Sequence, residues 1–120
     1  MPSVWPRRAS NPILMSARKL NVRLSREADR DMLDILLYTL RAWGAREQAI
    51  YEAANVQALA TLSQYPLAGR ARDDRFPGCR STQVEQHVIY FHQPRAAEIE
   101  VLRILHHRQD AGAVVQEPSS

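Results

Sequence analysis

One cysteine, Cys79, stands in 120 residues. A single thiol excludes an internal disulfide and a cysteine-rich metal centre, and it suits a reducing compartment. Long apolar runs are missing too. None approaches the roughly 18–20 residues that span a bilayer. Near the start, Ile13 to Met15 is too short for a signal-peptide core despite Arg7 and Arg8. The expectation is a cytoplasmic protein with no membrane partner. Strong charge of one sign is absent as well: 16 Lys and Arg face 13 Asp and Glu, a net +3. That excess favours acidic partners, whether nucleic acid, a nucleoprotein or an acidic protein segment, without dictating one. Apolar residues make up 45%, enough to build the core of one domain and hardly of two.

Residues 1–16 carry Pro2, Pro6 and Pro12 with no hydrophobic period, which disfavours a regular element. They are expected to be a disordered leader, or else an arm that binds through Trp5, Arg7 and Arg8. From Lys19 to Ser25, Leu20, Val22 and Leu24 alternate with polar residues, which predicts a half-buried strand. Ser25 suits a helix N-cap, and Glu27 and Asp29 suit the first turn of that helix. Ala28, Met32, Ile35, Leu36, Thr39, Leu40 and Trp43 then share one face, and Gly44 breaks the helix. A second helix is expected from Ala45 to Tyr65, with a small-residue face of Ala49, Ala53, Val56 and Ala60 beside Ile50, Leu59 and Leu62. Small side chains let helices approach closely, so the two should form an antiparallel hairpin. Leu67 to Gly78 reads as a loop. Three strand-like runs follow, Cys79 to Glu85, His87 to Gln93 and Glu98 to His106, joined by short polar turns. The last run is nearly all apolar and should be central. The fold class is therefore α+β: a strand, an antiparallel two-helix hairpin, then a three-stranded antiparallel meander. The domain runs over 17–110, and 111–120 is expected to be a frayed tail.

This order, with these residues, resembles the ParE branch of the RelE/ParE toxin superfamily. "VRLSREADRDMLDILLYTLRAWG" is similar to that family's first strand and helix. "QAIYEAANVQALATLSQYPLAGRAR" is similar to its second helix and Pro-x-x-Gly-Arg exit, and "HVIYFHQ" and "IEVLRILHHRQD" to its last two strands. The resemblance covers Lys19 to Asp110. It implies the toxin of a type II toxin–antitoxin module, of the kind tied to plasmid stability. A ParD-like antitoxin would neutralise it in a hetero-oligomer, DNA gyrase would be its target, and DNA would be reached only indirectly, through the antitoxin. RelE-type relatives instead cut mRNA on the ribosome, and fold alone does not separate the two.

Cleaving RNA requires a general base or acid and a cluster of cations at the phosphate. His87 falls where the superfamily's nucleases tend to carry an Arg, and Arg108 matches their later cation. No Tyr or His follows Asp110, so the usual acid is missing unless His106 or His107 replaces it. No catalytic residue is therefore expected; a nuclease would use His87, Arg103, His106 and Arg108. Arg70, Arg72, Arg75, Arg80, Arg103 and Arg108 are the candidates for contacting a target or antitoxin, because a guanidinium donates in pairs to carboxylate and phosphate. The alternative for the first four is a charged loop offset by Asp73 and Asp74. The alternative for Arg103 is a structural pair with Glu85 or Glu100. Adjacent strand residues point to opposite faces, so His106 and His107 should not share a metal ion. No metal or cofactor is expected. Glu27, Asp29, Asp31 and Asp34 should form a solvated helix face. Met32, Leu36, Trp43 and Tyr51 should pack inside, although some apolar surface should remain open for an antitoxin helix. Cys79 should be a small buried residue rather than a nucleophile.

Overall fold

The structure, a computed structural model, describes residues 20–109 and 115–118. The leader expected over 1–16 lies outside the described residues, as do both ends of the expected domain.

The chain runs β1 (Asn21–Leu24), α1 (Arg26–Trp43), α2 (Ala45–Gln64), β2 (Arg70–Ala71), β3 (Arg80–Val84), β4 (His87–Arg95), β5 (Glu98–His106) and a 3-10 turn, His107–Gln109. The strands form one sheet in the order β1-β5-β4-β3-β2. Pairing is antiparallel except at β1 and β5, which run parallel, with Val22 opposite Ile99 and Leu24 opposite Val101. The helical hairpin carries the chain from β1 at one edge of the sheet to β2 at the other, and the chain returns through β3 and β4 to β5, which pairs with β1. The expected α+β architecture holds. The sheet gains one strand over expectation: two residues of the Leu67–Gly78 loop pair with β3 as β2.

Local chemistry sets the joints. The Ser25 side chain accepts the Ala28 N–H at 3.0 Å and donates to the Leu102 carbonyl at 2.9 Å, so the cap of α1 is also pinned to β5. Gly44 alone separates the helices. Its φ of 95° lies where side chains are disfavoured, and its N–H closes α1 on Leu40 at 2.9 Å.

The main core lies between the hairpin and one sheet face. Ala28, Met32, Leu36, Tyr51, Leu59 and Leu62 pack there on Val22, Ile89, Phe91, Ile99, Val101 and Ile104. The buried stripe of α2 is Tyr51, Asn55, Leu59, Leu62 and Ser63. This displaces the expected small-residue face: Val56 and Ile50 are 40% and 50% exposed. Asn55 sits fully buried on that stripe because its amide donates to the Tyr51 carbonyl at 2.9 Å. A second, smaller core covers the other sheet face, where Phe76, Cys79 and Val115 pack on Val88, Tyr90 and Leu102. Val115 is 4% exposed; of the tail expected over 111–120, only 115–118 lie among the described residues.

The loop leaving α2 is tightly seated. A Cβ added at Gly69 would lie 2.6 Å from the Ser81 carbonyl and 2.9 Å from the Phe91 ring. Gly69→Ala is expected to destabilise the fold by about 2 kcal/mol, as overpacking against backbone does. The urea midpoint measures it, and an unchanged midpoint would contradict the close approach.

Candidate functional site

The arginine loop splits once it folds. Arg72 is 6% exposed. Its guanidinium donates twice to Asp74, both at 3.1 Å, and to the Tyr90 hydroxyl at 3.2 Å, and lies 5.2 Å from the Tyr90 ring centre. Arg75 reaches the same carboxylate at 3.5 Å and the same ring at 5.9 Å. Arg80 donates to the carbonyls of Leu67 and Gly69. Three of the four arginines therefore hold the loop on the sheet, and only Arg70 is exposed. Asp74 is held below the usual carboxylate range, first by its hydrogen bonds from Arg72.

Arg103 pairs with neither Glu85 nor Glu100. Its guanidinium binds Asp31 at 2.7 and 3.2 Å, and the same carboxylate accepts the Ile104 N–H at 3.0 Å. Asp31 thus belongs not to a solvated face but to the contact between α1 and β5. The reason is geometric: β1 pairs β5 only as far as Val101, and beyond it the strand edge needs an acceptor. Glu100 is 9% exposed and serves other partners, Arg23 at 2.7 Å and His92 at 2.9 Å.

The histidines come together at the far end of β4 and β5. His87 and His106 are direct cross-strand partners, with ring centres 5.4 Å apart. His107 begins the 3-10 turn, so the strand alternation that should separate it from His106 has ended. Their rings lie 4.5 Å apart at 31°. Among the described residues, however, no group of three or more His, Cys, Asp or Glu side chains is placed to hold a metal ion. Arg108 is exposed beside them, and its backbone N–H donates to His106 Nδ1 at 3.1 Å. The Tyr51 hydroxyl meets His87 Nδ1 at 2.6 Å.

Burial first, then the neighbouring His106 and His107, push His87 down to about 4, and burial pushes the Tyr51 phenol up to about 12. Cys79 is buried, which pushes its thiol up to about 11. A folded His87 near 4 against an unfolded histidine near 6.5 means that the unfolded chain binds more protons between those values. Its contribution is complete above about pH 6.5 and is lost as pH falls toward 4. Wild-type stability should fall by on the order of 2 kcal/mol across that window relative to His87→Gln. Parallel pH profiles of the two proteins would contradict this.

The helical spacing of Trp43 predicts a core position, but the side chain is 69% exposed. Leu33, Leu37 and Leu40 recur at i, i+4 and i+7 on α1 with 40%, 38% and 39% exposure, and Trp43 continues the line. Met32, Leu36 and Tyr51 are buried as expected. Helical spacing identified an apolar face but not its width: the sheet covers Ala28, Met32 and Leu36, and the flank stays open.

Residues 22–111 match the family described as ParE toxin of type II toxin–antitoxin system, parDE. The chain belongs to the ParE toxin family. It is 36% identical to Toxin ParE of Escherichia coli over 88 residues, covering 72% of this chain and 84% of that one. It is 28% identical to Toxin ParE1 of Caulobacter vibrioides over 91 residues, or 76% and 93% of the two chains. A solved structure described as the chromosomal ParDE TA system from P. aeruginosa shares its fold at a TM-score of 0.62 and 22% identity, covering 74% of this chain and 97% of that one. As a ParE toxin, the chain joins an α+β scaffold to three distinct features: an arginine loop largely consumed by its own structure, a histidine-rich sheet end, and an open apolar stripe on α1. Among the described residues, no helix is long and apolar enough to cross a membrane.

Proposed function

We propose that this chain is a toxin neutralised by a ParD-like antitoxin and that it inhibits DNA gyrase, and hence replication, by binding rather than by catalysis. The observation that carries the reading is family membership across residues 22–111. The Leu33, Leu37, Leu40 and Trp43 stripe supports the antitoxin part. A helix can lay an apolar face on it, and ordering a disordered antitoxin segment there would make the complex. The net charge of +3 speeds capture of an acidic segment.

The ribonuclease reading keeps one supporting observation: His87, His106 and Arg108 share the sheet end. The fourth residue it would use, Arg103, is committed to Asp31. Purified toxin in stoichiometric excess should inhibit gyrase supercoiling and accumulate cleaved DNA. Unchanged supercoiling, together with new mRNA 5′ ends on primer extension after induction, would move the assignment to the ribonuclease.

A further inference from the structure

The second face of the sheet is closed by this chain's own tail. Val115 is 4% exposed and packs with Phe76, Cys79, Val88, Tyr90 and Leu102. The three residues after it are exposed and form one wall of a cleft of about 720 Å³. The other walls are the end of β1, the first turn of α1 and β5. The tail lies across the sheet without joining it. Residues 115–118 form no strand, and among the described residues no hydrogen bond or ion pair ties them to the body. One buried valine holds the segment down.

Such an attachment is weak. The other buried apolar residues of this face belong to strands or to the loop before β3, which is pinned by bonds such as the Arg72 N–H to the Cys79 carbonyl at 2.7 Å. At 115–118, the packing of one aliphatic side chain is set against the entropy of ordering four residues. A segment held this way opens locally while the sheet stays folded. Opening uncovers Val88, Tyr90 and Leu102, which their own strands keep in place. The charges beside the valine are unevenly paired. Arg23 binds Glu98 and Glu100, and Arg103 binds Asp31. Arg26 is exposed and, among the described residues, has no ion-pair partner. Glu117 lines the same cleft. The tail therefore brings an aliphatic residue to the seat and, two positions on, a carboxylate to a cleft with an open guanidinium.

We propose that residues 115–118 are a releasable strap, and that the seat beneath them docks an extended peptide segment of a partner protein built on the same pattern. That segment places an aliphatic residue where Val115 sits and, two positions later, an acid toward Arg26. The strap competes with it and keeps the seat closed until it arrives. An extended segment suits the place, because the seat takes one side chain and the cleft takes the residues that follow. The surface lies on the face of the sheet opposite the helical hairpin. It does not rest on the gyrase or antitoxin reading and can fail while they stand.

The test is a methyl-NMR titration of the full chain with an acetylated peptide carrying the sequence of residues 113–118. With wild-type protein, the peptide should move the Val115 methyl signals toward those of a free valine as it takes their place. Val115→Asp in the protein should release the strap, keep the sheet signals native and bind the peptide at least about 10-fold more tightly, because the competitor is gone. A peptide with Val115→Leu and Glu117→Asp should bind within about 3-fold of the original. A peptide with Val115→Ser should not bind at millimolar concentration. Arg26→Gln in the protein should weaken binding by about 3-fold, the scale of an exposed ion pair. No binding to the Val115→Asp protein at millimolar peptide, or equal binding to it and to wild type, would overturn the docking site. Loss of the native sheet signals in that variant would overturn the strap, since Val115 would then be a necessary part of the core.

Discussion

Leu33→Glu combined with Leu37→Glu is expected to lower antitoxin affinity by about 100-fold or more while the free toxin stays folded. The two leucines are 40% and 38% exposed, and the residues that hold α1 to the sheet are Ala28, Met32 and Leu36. Glutamate is a good helix former, so the free chain loses little beyond the partial burial of two side chains. In the complex, the same carboxylates would have to leave water inside an apolar contact, where an unpaired charge is costly. Calorimetry or surface binding measures the affinity, and far-UV circular dichroism with a urea midpoint checks the fold. Full affinity in the double variant would place the antitoxin elsewhere on the toxin. The basic loop would then be the next surface to test, beginning with Arg70, its exposed arginine.

Asp31→Ala is expected to destabilise the toxin by about 3 kcal/mol, because it strands two donors at once. The carboxylate holds the Arg103 guanidinium and the Ile104 N–H. The side chains are 16% and 35% exposed, so water softens the loss below that of a fully buried pair. Asp31→Asn should cost less, since an amide oxygen can still accept the Ile104 N–H. Arg103→Met should cost less again, because Asp31 keeps the Ile104 N–H as a donor and no donor is left stranded. Urea unfolding orders the three. If Asp31→Ala loses no more than Arg103→Met, the backbone contact contributes nothing and the edge of β5 is held by other means.

Legibility in the sequence followed distance along the chain. The Ser25 cap, the Gly44 break and the alternation around Val22 are decided within a few residues, and the structure places them as their chemistry requires. Gly69 was legible as a motif, but its cause, the Ser81 carbonyl and the Phe91 ring, lies 12 and 22 positions away. Contacts of still longer reach were not legible. Arg103 and Asp31 are 72 residues apart, so nothing local distinguishes Asp31 from the solvated Asp34. Arg72 reads as surface charge until Tyr90 and Asp74 close around it. Trp43 erred in the opposite direction: its spacing on α1 is that of a core residue, but the sheet does not extend far enough to cover it. At the histidine end, alternation predicted that His106 and His107 would part, and it failed because β5 ends between them and the chain turns.

Residues of one kind therefore took different roles according to what the fold brought near them. Arg72, Arg75 and Arg80 became parts of the scaffold, whereas Arg70 and Arg108 remained open. His92 joined a buried carboxylate, whereas His106 and His107 met no acid among the described residues. Composition alone ranks all of these equally.

Controlled expression of the full chain, with and without a ParD-like antitoxin, bears most directly on the assignment as a toxin. Expression alone should arrest growth and induce the DNA-damage response, and co-expression of the antitoxin should restore growth through a complex that co-purifies. Normal growth with soluble wild-type protein accumulating would contradict it.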